Sequence, residues 1–564
     1  MFAAPTVRRL QSLRSLIVVC AAGTALGAQA ARSPASLGRI SFPTSGSAAA
    51  QTPFVRGVLL LHSFEYDDAI AAFRQAQRID PGFAMAYWGE ALSYNQPLWY
   101  NESVDKARAV LSRLAPTRAA RLTKAPTDRE KAYLDAVEKL FGDGAKAARD
   151  RAYADAMGEL TRRFPDDQDA AAFYALALLA TIPEGRREPA VSLKAGGIAA
   201  AVLEKNPEHP GAAHYALHAF DDGEHAAMGL KAARIYARIA PASSHARHMP
   251  SHIFLPLGMW DDAVASDEAS FAASVDRVKR LGLSMAQADF HSLSWLHYEY
   301  LQQGRFAKAR EVMRTVENAI TGGVPGPTSP GKPTTPTPPA LPAPPAHSAH
   351  VESEIGRGFG PMSLKSELAS MKARLVLENG DWKEMQGQGN FDNIDELLAL
   401  GIASVALGDP ARAAAALDHL RQAAATLSDR DAKEIAEIMA SQLDGMTRLG
   451  RGDRTGALAS LARAAQLEAR RPKPIARPYP VKPAGELYAE ILLGTGNAVA
   501  AVDQFKLALA RTPRRAASLL GLARAASAAG QTKLAADTAR EFLGVWKNAD
   551  KDRPELAEAR QIAR

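Results

Sequence analysis

A histidine pair recurs at the length of the chain's own repeat. His214 and His218 lie four residues apart, and His248 and His252 repeat the pair 34 residues later. A period of that length belongs to a helix–turn–helix unit that stacks on copies of itself. This restricts the chain to an array of helical hairpins. A spacing of four sets both imidazoles on one helix face, about one turn apart. A shift of one whole repeat stacks the second pair beside the first. Nine of the thirteen histidines fall between His209 and His297. A helical scaffold has no need of them, so the search for function begins there.

At 564 residues the chain is too long for one ordinary core. An array escapes that limit because each unit packs only on its neighbours. Abundant Ala and Arg with few β-branched runs favour helix. The first thirty residues predict a cleaved secretory leader: Arg8, Arg9 and Arg14, an apolar run from Leu16 to about Leu26, then Ala28-Gln29-Ala30. That run is short for a membrane span, so a periplasmic or secreted chain without a span is expected. Cys20 is the only cysteine and lies inside the leader. The mature chain then offers no disulfide and no thiolate ligand. The net charge of +7 falls to +4 without the three leader arginines. Acids are interleaved with bases, so no nucleic-acid partner is expected.

The first unit carries Gly57, Ala69, Phe73, Ala76 and Pro81; a late one carries Gly496, Ala501, Phe505, Ala508 and Pro513. Gly258 and Ala263, Gly304 and Ala309, Gly452 and Ala457, and Gly530 and Ala535 mark others. On these residues the chain resembles tetratricopeptide repeat proteins over most of residues 52–548. The resemblance implies an all-α, superhelical solenoid of antiparallel helix pairs, a fold that hosts many unrelated functions. The segment from His209 to Phe254 is also similar to a group of uncharacterised exported bacterial repeat proteins, which supplies no reaction. Two arrays are expected, at 52–320 and 362–548. Between them, 321–361 reads as a linker, because 321–350 is rich in Pro, Gly, Thr, Ser and Ala. Residues 471–483 form a shorter Pro-rich turn.

In the tetratricopeptide register His214 and His248 take position 5, His218 and His252 position 9, and His245 and His291 position 2 of successive repeats. Asp221 and Asp222 take positions 12 and 13, Trp88 position 5 and Asn95 position 12. The resemblance implies that these positions line a concave, ligand-holding groove. Two functional readings stand open. His214, His218, His248 and His252 can hold one transition metal (zinc, copper or nickel), since His-x3-His pairs on packed helices suit imidazole-binding ions; Asp221 would then orient a ligand from behind. Alternatively, a metal-free groove with His245, His291, Asp221, Asp222, Trp88 and Asn95 takes a peptide, protein or small ligand. A purely structural role for the histidines is the third possibility. No nucleophile elbow, phosphate loop, His-Glu-x-x-His helix or dinucleotide fingerprint occurs, so no reaction is assigned.

Overall fold

Repetition in this chain works by fitting an aromatic side chain between small residues. Phe73, on the helix Tyr66–Ile79, packs against Gly57 of the preceding helix Ala48–His62 and Gly89 of the following helix Ala84–Leu92. A Cβ on either glycine would come within 2.7 Å or 2.3 Å of its ring. Near the other end, Phe505 meets Gly521 the same way, at 2.2 Å. Ala69, Ala76, Ala501 and Ala508 close the same contacts and are buried. Small residues let paired helices approach, and each pair buries its apolar stripe only by stacking on the next.

The computed structural model describes residues 36–321, 364–386 and 393–564. The expected leader at 1–30 and nearly all of the segment 321–361 lie outside the described residues. Within them the chain is all-α apart from two short paired strands, Asn95–Gln96 and Asn101–Glu102. Consecutive helices pack antiparallel in pairs, and successive pairs stack. The fold is a tetratricopeptide-like helical solenoid.

Of the glycines that mark the repeats, Gly57 lies within its helix, whereas Gly258, Gly304, Gly452, Gly496 and Gly530 sit at tight turns with positive φ. At Gly258 and Gly304 that freedom matters twice. Their φ values are 65° and 66°, and an added Cβ would meet Pro513 O at 2.6 Å or the Trp546 ring at 2.7 Å. Both turns therefore touch the C-terminal repeats. Helices Phe290–Gln302 and Leu364–Asn379 pack together, and Leu293, Trp295 and Tyr298 share one core with Leu520, Phe542 and Trp546. Arg515, fully buried, ties this junction by donating to Glu486, Glu378 and the Tyr298 hydroxyl. Among the described residues no helix is long and apolar enough to cross a membrane.

Candidate metal centre

Six histidines gather in two adjacent trios, and each trio is built by the same rule. His214 and His218 project from the helix Pro210–Ala219, and His245 from the start of the next repeat's helix, Ser244–His248, joins them. His248 and His252 then form the second pair, and His291 from the helix Phe290–Gln302 completes it. A position-5 and position-9 pair is thus closed by position 2 of the following repeat. Pro250 interrupts the second pair's helix. It keeps helical dihedrals (φ −58°, ψ −28°), so the missing N–H costs a hydrogen bond without changing the i, i+4 geometry.

Within the first trio, His214 Nε2 lies 3.0 Å from His245 Nε2 and 3.1 Å from His218 Nε2. In the second, His248 Nε2 lies 3.0 Å from His252 Nε2. The ligand nitrogens of each trio all fall within 4.8 Å of one another. Nitrogens bound at 2.0–2.1 Å to a tetrahedral ion lie roughly 3.3 Å apart, so each trio is nearly set for one ion. The His218 and His252 ring centroids are 6.3 Å apart, which makes the trios neighbours.

The far nitrogens fix the tautomers. His214 Nδ1–H donates to the His62 carbonyl at 2.7 Å. His248 Nδ1–H donates to Asp267 at 2.6 Å, and His252 Nδ1–H to Asp221 at 2.7 Å. A neutral imidazole that donates through Nδ1 offers Nε2 as an acceptor or a ligand. Backing a ligand histidine with a carboxylate or carbonyl is how proteins orient metal-binding imidazoles.

The surroundings are aromatic and largely buried. Tyr236 stacks on His214 at 5.1 Å and Phe64 lies 4.2 Å from it; Trp295 covers His252 at 4.5 Å. His214, His248 and His252 are buried, whereas His218, His245 and His291 keep a partly exposed edge. Burial, followed by neighbouring histidines, holds His214, His218, His245, His248 and His291 well below the ordinary imidazole value, so they stand neutral and ready to ligate. Burial, and then the charge of Asp267, pushes the Glu299 carboxyl well up.

A third group lies directly behind the first trio. His62 Nε2–H donates to Asp169 at 3.0 Å, and its Nδ1 accepts from the Tyr215 hydroxyl at 2.9 Å. His209 caps its helix by accepting from Ala212 N at 3.2 Å, and its Nε2 lies 3.6 Å from Asp169. Gly211 is required here, since a Cβ would stand 2.2 Å from His62 Nδ1. The His62 carbonyl can therefore reach His214.

The expected site residues divide. The four histidines assigned to a single ion fall in two groups, because each pair finds its third nitrogen in the next repeat. His245 and His291, expected to touch a ligand, are those third members. Asp221 stands behind His252. Asp222 does not join it: both its oxygens serve the turn, accepting from Glu224 N, His225 N and His225 Nδ1. Trp88 lines no groove. It is fully buried against Phe42, Tyr133 and Phe173, because position 5 of that repeat faces core. Asn95 is 4% exposed and borders a separate small cavity with Phe64 and Tyr153. The sequence reading missed Asp267. Its signal was an acid on the helix stripe Ala263, Val264, Ser270 and Ser274, all buried.

No protein-family model and no curated protein sequence matches the chain. Among solved structures it is similar to the Cut9–Hcn1 hetero-tetramer of the APC/C, at 12% identity, covering 93% of this chain and 78% of that one, with a TM-score of 0.27. It is similar to the human IFIT1 dimer with m7Gppp-AAAA, at 12% identity, covering 93% and 91%, with a TM-score of 0.31. A monomeric IFIT1 mutant with Gppp-AAAA gives 12%, 85% and 90%, and 0.32. Likeness at this level assigns no function, so the reading rests on the site.

Proposed function

We propose that this chain is an exported helical-repeat metalloprotein that holds transition-metal ions through His214, His218 and His245 and through His248, His252 and His291. One observation carries the reading. His248 and His252 face each other with Nε2 atoms 3.0 Å apart while both Nδ1–H groups are committed to carboxylates. Nitrogens that close, among three imidazoles whose ligand atoms converge within 4.8 Å in each trio, stand at the spacing that the ligands of one ion take. All-imidazole donors suit copper, zinc or nickel rather than magnesium or calcium. The basic, apolar and small-residue pattern of residues 1–30 supports export.

The other reading, a peptide or protein held in an open groove, has less support. Trp88 is a core residue, and Arg477 from the 471–483 turn reaches the helix that carries His291, donating to Ser294 O at 2.9 Å. The test is elemental analysis of the untagged mature chain after dialysis. The expected result is tightly held copper, zinc or nickel, about halved in the double variant His248→Ala, His252→Ala. No retained metal, and no uptake of added copper, zinc or nickel by a chain with full helical content, overturns the proposal.

A further inference from the structure

We infer, resting on the metal-centre reading, that the first trio and Trp99 form its reactive half, a zinc site that hydrolyses carboxylic esters bearing an aromatic group. Two observations carry this: the unequal backing of the two trios, and a hairpin that interrupts the helical array beside the first.

The groups behind the two trios differ in charge. In the second trio the far nitrogens of His248 and His252 donate to carboxylates, Asp267 and Asp221. In the first, His214 donates to a neutral carbonyl, that of His62. A carboxylate behind an imidazole makes it a stronger donor, which holds an ion tightly and weakens it as a Lewis acid. An ion on His214, His218 and His245 keeps more of its charge. Three imidazoles with water in the fourth position is the donor set with which zinc brings the pKa of that water to about 7. His218 and His245 each keep a partly exposed edge, so water and substrate approach from that side.

Among the described residues the only strands are Asn95–Gln96 and Asn101–Glu102, paired with Asn95 opposite Glu102. Helix stacking has no need of them. The turn between them, Pro97–Trp99, sets the Trp99 ring 5.9 Å from His245, edge to face. The hairpin is anchored in that position. Arg149 donates to both oxygens of Glu102, at 2.5 and 3.2 Å, and the Tyr100 hydroxyl donates to the Ile182 carbonyl at 3.0 Å. These contacts hold Tyr100 in a left-handed backbone, φ 54°, which is uncommon for a bulky residue and persists only where the surroundings impose it.

Phe64 continues the wall. It lies 5.0 Å from Trp99 and 4.2, 5.7 and 5.6 Å from the rings of His214, His218 and His245. Trp99 is half-buried, which leaves part of its ring to a ligand. Uncharged rings beside the ion match an aromatic group next to an uncharged reacting centre, which a carboxylic ester has and a phosphate ester lacks.

The step balances with water as co-reactant. The water oxygen bonds to the ester carbonyl carbon as the bond from that carbon to the alcohol oxygen breaks. One water proton goes to the departing alcohol oxygen, and the other to solvent as the product acid ionises. Nothing is oxidised or reduced.

The experiment loads the full mature chain with zinc, counts the bound ions, and follows acid release from benzyl acetate and ethyl acetate in a pH-stat. The two alcohols leave with similar ease, so the comparison isolates the ring. The expected result is two zincs per chain and zinc-dependent hydrolysis of benzyl acetate that rises with pH through about 7, preferred over ethyl acetate. His218→Gln, verified as folded by circular dichroism, should keep one zinc and lose hydrolysis. Trp99→Ala should lower kcat/KM for benzyl acetate about tenfold, through KM rather than kcat, and erase the preference. A two-zinc chain that does not hydrolyse benzyl acetate, hydrolysis that survives His218→Gln, or a preference that survives Trp99→Ala overturns the inference and leaves the metal reading standing. A folded chain that takes up no copper, zinc or nickel overturns both.

Discussion

Asp267→Asn isolates what the carboxylate behind His248 does. Asp267 is fully buried on the helix Trp260–Leu281 and accepts from His248 Nδ1 at 2.6 Å. The substitution keeps the shape of the side chain. Its amide oxygen can still accept from His248, and its NH2 group gains a nearby acceptor in Glu299. What disappears is the negative charge that makes the imidazole a stronger donor to a cation. Loss of such a partner weakens metal affinity about 10–100-fold, equivalent to about 1.4–2.7 kcal/mol. The apo protein should lose nothing comparable, because burial drives the Asp267 carboxyl well above its ordinary value and a neutral amide avoids that desolvation. The two readouts therefore move apart: a competition titration with a chromophoric chelator gives a 10–100-fold weaker metal constant, while apo thermal unfolding stays level or rises. An affinity within about twofold of wild type would refute the claim that Asp267 supports a ligand. A large fall in apo stability would show that it is a packing group.

Acid should destabilise the apo chain. Burial lowers His62 to about 3 and His209 to about 4 from 6.5. The unfolded state thus binds more protons than the folded one below pH 6.5, and stability falls with pH from there down to about those values, by about 2 kcal/mol for each histidine at pH 5. Asp169, raised by burial to about 7 from 3.8, acts in the opposite sense between those limits and offsets roughly one of them. The five lowered histidines of the trios add to the loss and outnumber the raised Asp267 and Glu299 carboxyls, which oppose it, so denaturant unfolding at pH 5 and 7.5 should show lower apo stability at pH 5, with less difference when metal is bound. Gly211→Ala should cost about 1–3 kcal/mol by overpacking, since its Cβ would stand 2.2 Å from His62 Nδ1; thermal unfolding together with metal content reads both consequences. Arg515→Ala removes the cation paired with buried Glu378 and one of the two paired with buried Glu486, and should cost about 3–5 kcal/mol in chemical denaturation. A loss below 1 kcal/mol would mean that water or Lys482, already 2.9 Å from Glu486, takes over.

The fold was legible because its marks are local. A glycine at tight turns such as Gly258, Gly304, Gly452, Gly496 and Gly530, an aromatic such as Phe73 or Phe505 on the second helix of a pair, and small residues where it lands are all properties of short windows, and the helix pairs follow from them. The histidine pairs were legible for the same reason, since four residues on a helix are one turn wherever the helix sits. The division into two trios was not, although its pattern lies in the sequence: His245 and His291 share position 2. What hid it is unequal spacing. His245 follows His218 by 27 residues and His291 follows His252 by 39, because the helix Trp260–Leu281 and the turn after it lengthen that repeat. Trp88 misled for the converse reason. It takes the same register position as His214 and His248, but there Phe42, from the segment before the first repeat, packs against its ring 5.6 Å away, closing over a face that the register alone would leave open. Register predicts which way a side chain points from its own helix, and only the path of the rest of the chain decides what meets it.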